Sequence, residues 1–212
     1  QVEDVHVPPL DLCVMNPPFT RSVGGNLLFG SLPEDERPKL QKRLASLVKQ
    51  TGALANTTAG LGSPFVAAAH PLVKDGGYLA LVLPRAVLSG VAWGPTRRLI
   101  ADQYHLKYVV TSHEPGHWNF SENTDLSETL LVAQRRNGAT TPVCRAPSGT
   151  VFINLWHNPR NSLDALDVAA QVERARSAGM LAEDAGPYEL EHADTPYGQA
   201  FAVDREIVAN DS

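Results

Sequence analysis

Short apolar runs alternate along this chain with stretches of helical periodicity. Leu12-Cys13-Val14-Met15 is continuously apolar, as a strand buried on both faces of a parallel sheet is. Between Pro38 and Gln50 the apolar positions Leu40, Leu44, Leu47 and Val48 recur at helical spacing. Ser31-Leu32-Pro33-Glu34 has the S-x-x-E form of a helix start, and Gly52 supplies a stop. Ser63-Pro64 opens a second helix, a capping residue followed by proline at the first helical position. It is expected to run through Val66, Ala69 and Val73 to Gly76-Gly77, with a kink at Pro71. Tyr78 to Leu83 predicts a second buried strand that leaves through Pro84, Pro95 to Gln103 a helix, and Leu106 to Thr111 a third strand. A polar loop from His113 to Asp125 leads to a fourth strand at Thr129 to Ala133, with Arg135-Arg136-Asn137-Gly138 as its exit turn. Beyond it the pattern predicts a strand at Val151 to Leu155, a turn from Asn154 to Arg160 and a helix from Ser162 to Ala178. The residues after 180 read as irregular.

Strand–helix alternation implies an α/β fold with right-handed parallel crossovers. The third and fourth strands are joined by a loop alone, so they are expected to run antiparallel. Residues 1–137 then make one folding region, and residues 138–212 an extension of strand, helix and irregular tail. At 212 residues and 43% hydrophobic the chain can bury a substantial core. No apolar run approaches the roughly 18 residues of a membrane span, and no basic stretch leads into an apolar one as in a secretory leader. Cys13 and Cys144 lack the spacing of a metal site and read as reduced thiols, so a cytoplasmic protein is expected. A net charge of −5 argues against this stretch alone gripping nucleic acid by neutralising phosphates. The basic clusters at Arg37 to Lys49, Arg97-Arg98 and Arg135-Arg136 read as solvated helix faces or strand ends.

Directly after the first apolar run stand Asn16-Pro17-Pro18-Phe19, where the carboxyl end of a strand places ligands in an open α/β sheet. Proline at 17 and 18 removes two backbone donors, fixes φ and biases the residue before it toward an extended shape. What remains is a pair of rigid carbonyls. With the Asn16 side-chain oxygen they can accept the N–H bonds of a planar amine whose lone pair is delocalised into a ring, and turn that lone pair toward an electrophile. Phe19 offers a flat face for a base taken out of its stack, an extrusion costing a few kcal/mol against roughly 1–3 kcal/mol returned per stacked base. A strand-ending Pro-Pro turn with a buried phenylalanine would spell the same four letters without chemistry. With proline at about 5% of residues, such a tetrad arises by chance in a chain this long with a probability on the order of 1%.

Other strings carry less. His113-Glu114-Pro115-Gly116-His117 matches H-E-x-x-H, but that zinc motif needs both histidines on one face of a continuous helix, and Pro115-Gly116 breaks one. No metal site is expected. Gly24-Gly25 and Gly60-Leu61-Gly62 read as loop or helix-start glycines, and no G-x-S-x-G elbow is present.

Residues 8 to 137 resemble the second half of an N6-adenine DNA methyltransferase, of the S-adenosylmethionine-dependent, Rossmann-like family that includes restriction–modification subunits. In that family an Asn-Pro-Pro-aromatic loop follows the fourth strand, as Asn16 to Phe19 follow Met15 here. The fifth strand is entered from a glycine pair and left through a proline, as Gly76-Gly77-Tyr78 to Pro84 is. A final β-hairpin carries an aromatic for the other face of the flipped base; Phe120 is the candidate and Trp118 the alternative. The resemblance implies a partial Rossmann-like methyltransferase sheet, its second half, mixed with a C-terminal antiparallel hairpin. Asn16 and the Pro17 carbonyl would accept from the adenine amine, Pro18 would stiffen the loop, and Phe19 and Phe120 would hold the base. Asn16 would also touch S-adenosylmethionine, in a pocket of which this chain carries only part.

The departure from the family lies upstream. Its acidic-x-Gly-x-Gly cofactor loop and the acidic residue after the second strand belong before the tetrad, where only fifteen residues stand. The chain is therefore expected to be a fragment of a longer DNA methyltransferase, with residues 138–212 leading toward a target-recognition region. Alone it is expected neither to bind the cofactor measurably nor to methylate DNA. Methylation of a protein glutamine or of ribosomal RNA, and a non-catalytic module that kept the fold, are the alternatives. An apolar strand at Asp11 to Met15 would leave an exposed edge, so a cover from a terminal segment or self-association through that strand is expected.

Overall fold

The first apolar run forms β1 (Leu10–Met15) in a computed structural model that describes residues 7–19, 33–50, 52, 54–113, 127–137 and 149–203. α1 (Arg37–Gln50), α2 (Gly62–Ala69) and β2 (Val73–Pro84) follow, then α3 (Gly94–Gln103) and the hairpin strands β3 (Tyr104–Ser112) and β4 (Glu128–Arg135). β5 (Thr150–Leu155), α4 (Ser162–Ser177), β6 (Tyr188–Leu190) and β7 (Gly198–Val203) complete the described elements.

One seven-stranded sheet runs in the order β1-β2-β4-β3-β5-β7-β6. β1 lies parallel to β2, and β4 slots antiparallel between β2 and β3, the antiparallel pairing with β3 that the sequence pattern predicts. β3 is parallel to β5, and β5, β7 and β6 are successively antiparallel. Successive residues of a strand face opposite sides of a sheet. Val109 accordingly joins a core of Leu79, Leu81, Leu83 and Leu131 packed on α2 and α3, while Val110 packs against the second core, Val151, Ile153 and Leu155 under Val168 and Val172 of α4. α4 thus covers the opposite face from α2 and α3.

The second helix ends sooner than its periodicity predicts. α2 stops at Ala69, a 3-10 turn spans His70–Leu72, and Val73 to Gly77 belong to β2. Pro71 has no N–H to give and its ring meets the carbonyl four residues back, so the helix ends where a kink was expected. Ser63, expected as the cap, lies inside the first turn, and Leu61 takes the N-cap position with no side-chain bond. The buried Ser63 hydroxyl instead accepts from the Asn56 N–H at 3.0 Å and shares a 2.8 Å hydrogen bond with Thr96 of α3. Gly76 and Gly77 sit where β2 shifts register against β1 between Leu10 and Leu12. Gly76 has φ +77°, and a Cβ on Gly77 would lie 2.9 Å from the Leu10 carbonyl oxygen, so the shift needs both glycines.

Residues beyond 180 are also more regular than expected, because β6 and β7 extend the same sheet past β5. β1 is an edge strand. Among the described residues nothing pairs with its outer edge, and Leu12 and Val14 stand 55% and 70% exposed. No described residue makes the cover expected from a terminal segment; residues 1–6 and 204–212 lie outside the described ones.

Candidate active site

The tetrad leaves the carboxyl end of β1, whose last residue, Met15, is in register with Leu81 of β2. Asn16 and Pro18 are exposed, Pro17 is buried and Phe19 is half-buried. The pattern has a local cause. Burying Pro17 costs no hydrogen bond on the donor side, because it has no N–H, and it anchors the loop while the Asn16 amide reaches solvent. Phe19 keeps part of its ring accessible, as a stacking face requires.

Beside the tetrad, β2 ends at Pro84, opposite Glu128 of β4, and the Arg85 N–H donates to the Ser127 carbonyl at 2.6 Å. Glu128 is fully buried at the start of β4, which β2 separates from β1, and the sequence pattern did not single it out. The available signal was an acidic residue leading the apolar run Thr129 to Ala133, which reads equally well as the last polar residue of a loop. Phe120 and Trp118 lie outside the described residues, so Phe19 is the candidate base-contacting aromatic that the structure describes. His113 is described and its N–H donates to the Leu155 carbonyl at 2.8 Å; the rest of the H-E-x-x-H string is not among the described residues. Among the described residues no group of three His, Cys, Asp or Glu side chains could hold a metal, and no helix is long and apolar enough to cross a membrane.

Several other candidates have structural work. Cys13 is half-buried on the face that packs toward α2, and burial pushes its thiol pKa up, which suits an unreactive side chain. Arg97 donates to the Val87 and Gly90 carbonyls, and Arg135 donates to the His70 carbonyl at 2.8 Å and to that of Val73. Arg136 reaches the Ala101 carbonyl in the last turn of α3. These guanidiniums bond backbone carbonyls, where solvated strand ends and helix faces were expected. Two cavities lie away from the tetrad: an apolar one of about 280 Å³ between α4 and the sheet, and a polar one of about 530 Å³ beside Gln171 and His192.

No family model matches the chain, and no curated protein does. Solved structures do. The type IIG restriction endonuclease BpuSI matches at a TM-score of 0.51 and 16% identity, over 96% of this chain and 20% of its own. A modification subunit of a type I restriction enzyme from Vibrio vulnificus matches at TM-score 0.47 and 16% identity, over 93% of this chain and 38% of its own. A protein described as a class I S-adenosylmethionine-dependent methyltransferase, from Listeria monocytogenes, matches at TM-score 0.44 and 15% identity, over 81% of this chain and 44% of its own. The chain therefore shares an α/β fold, built on a mixed seven-stranded sheet, with the matching part of BpuSI. The chain spans less than half the length of each of these solved chains.

In an open α/β sheet, ligands bind outside the carboxyl ends of the strands. Here the tetrad has β2 on one side, and on the other the open edge of β1. Asp11, the acidic residue of β1, lies toward the strand's other end and is paired with Lys74. The described residues therefore do not by themselves make a complete site for a cofactor such as S-adenosylmethionine.

Proposed function

We propose that the protein to which these residues belong methylates the exocyclic N6 amine of adenine in DNA, as part of a restriction–modification system. The observation that carries this reading is the intact tetrad at the carboxyl end of β1, its Asn16 amide exposed and its Phe19 ring half-accessible. S-adenosylmethionine, when bound, supplies the electrophilic methyl group. The residues of this chain hold the acceptor. Asn16 Oδ1 and the Pro17 carbonyl take the two amine N–H bonds, which localises the nitrogen lone pair and aims it out of the ring plane. Phe19 stacks on the extruded base and fixes that plane. Such a transfer depends on alignment more than on a strong base, so a site without a histidine suffices.

The reading also requires residues that hold the cofactor and recognise the target, which are not among the described ones. Phe120 is proposed as the second face of the base clamp. The test is to express the complete gene product in cells lacking adenine methylation and to analyse their nucleosides by mass spectrometry. N6-methyladenine is expected in DNA with the wild type and is expected to vanish with Asn16→Ala. Equal methylation in both, or a methyl group found only on protein glutamine or ribosomal RNA, contradicts the proposal.

A further inference from the structure

α1 carries five of the chain's 18 basic residues in 14 positions and none of its 23 acidic ones. In a chain of net charge −5 this is a concentrated exception. Lys39, Lys42, Arg43 and Lys49 recur at helical spacing on one face and are all exposed, while Leu40, Leu44 and Val48 occupy the opposite face and are half-buried. Of the exposed cations only Lys49, in the last turn, complements the helix dipole. Like charges three and four residues apart repel, and basic side chains in the first turn, here Arg37 and Lys39, oppose the helix dipole. Among the described residues no salt bridge involves the four exposed cations. Arg97, Arg135 and Arg136, by contrast, point at backbone carbonyls.

We propose that the exposed face of α1 is a phosphate-binding surface that tracks the DNA backbone. Lys39 to Lys49 covers about 15 Å of helix axis, and one strand of duplex DNA presents a phosphate every ~3.4 Å along its axis, so four cations meet about four phosphates. The half-buried Leu40–Val48 side separates this reading from a membrane-surface helix, which would need that apolar face free to enter lipid. The choice of DNA as the polyanion rests on the adenine-methylation reading. The clustering of charge does not.

The test is fluorescence anisotropy of a labelled duplex against the complete gene product, titrated over a range of salt concentrations. Lys39→Gln, Lys42→Gln, Arg43→Gln and Lys49→Gln combined should weaken binding and reduce the slope of log K against log[salt] by about 3 to 4, since each neutralised phosphate contributes ~0.9. The variant with arginine at all four positions should bind as the wild type does. Thermal unfolding should show the neutral variant at least as stable as the wild type, because it relieves repulsion. An unchanged slope, no duplex binding by the wild type, or tighter binding to phosphatidylserine vesicles than to DNA at the same salt would each overturn the inference. A neutral variant that loses DNA while the wild type leaves no N6-methyladenine would keep the phosphate surface and remove the methylation reading.

Discussion

Asn16 and Phe19 sit three residues apart, yet their proposed contributions belong to different steps. Phe19 meets the base once it is out of its stack, so Phe19→Ala in the complete gene product should weaken substrate binding by roughly 1–3 kcal/mol. Asn16 gains most as the amine nitrogen becomes tetrahedral, so Asn16→Ala should lower kcat and leave KM close to the wild-type value. Single-turnover kinetics with a duplex substrate separate the two; a pure KM effect for Asn16→Ala would remove its assigned role. At this scale the tetrad was legible from sequence because two consecutive prolines after an apolar run constrain backbone and hydrogen bonding together. Glu128 was not legible, since it is buried where β4 meets the end of β2, opposite Pro84, a contact far away in sequence. Arg135 and Arg136 read as surface charge because nothing local announces that their guanidiniums turn back onto His70 and Ala101.

Elements with a complete local signal came out within a few residues of their expected ends: α3, β3, β4 and α4 each combine periodicity with a stop or a cap. Asn161 shows the cap directly, its side chain accepting from the Leu163 and Asp164 N–H groups at 2.8 and 3.0 Å. β6 and β7 lacked such a signal. β6 has three residues, and β7 opens at Gly198, whose packing against the Asn154 carbonyl is a tertiary fact. The turn after α2 supplies a prediction at this scale. His70 Nδ1 and the Tyr104 hydroxyl are 2.9 Å apart, and burial first, then Arg135, lowers the His70 pKa from its ordinary 6.5. Burial also raises Tyr104 to about 12, against the opposing pull of Arg135. Below about pH 6.5 the unfolded chain takes up a proton that folded His70 resists, so stability present above that pH is lost as the pH falls through the folded pKa. The urea midpoint should therefore drop between about pH 7.5 and pH 5.5, and drop less in His70→Gln. Equal drops would show that His70 is not a source of the pH dependence.

Seen as a whole molecule, the sheet is covered unevenly. Register puts Leu12, Val14 and Tyr78 on the face opposite α2 and α3, and there Tyr78 is 38% exposed beside the two β1 residues. Parallel strands are ordinarily covered on both faces, so β1 and β2 present half of a two-sided arrangement. The antiparallel hairpin and the α/β class were legible in the sequence. That β5, β7 and β6 continue the same sheet was not, because strand neighbours far apart in sequence leave no local trace. Since, among the described residues, nothing pairs with the outer edge of β1 beside the tetrad, these 212 residues alone should give no measurable heat on calorimetric titration with S-adenosylmethionine. Micromolar binding by this chain would show that its own residues complete the pocket.

The role of Asn16 is tested most sharply by what the complete gene product does to a defined duplex. Incubated with S-adenosylmethionine carrying a deuterated methyl group, it should place the label on adenine N6, read by mass spectrometry of the digested nucleosides. Asn16→Ala, matched in fold by thermal unfolding, should leave the label in the cofactor. Label on cytosine, label on the protein alone, or full transfer by the Asn16→Ala variant would contradict the assignment of Asn16-Pro17-Pro18-Phe19 as an adenine amine-binding loop.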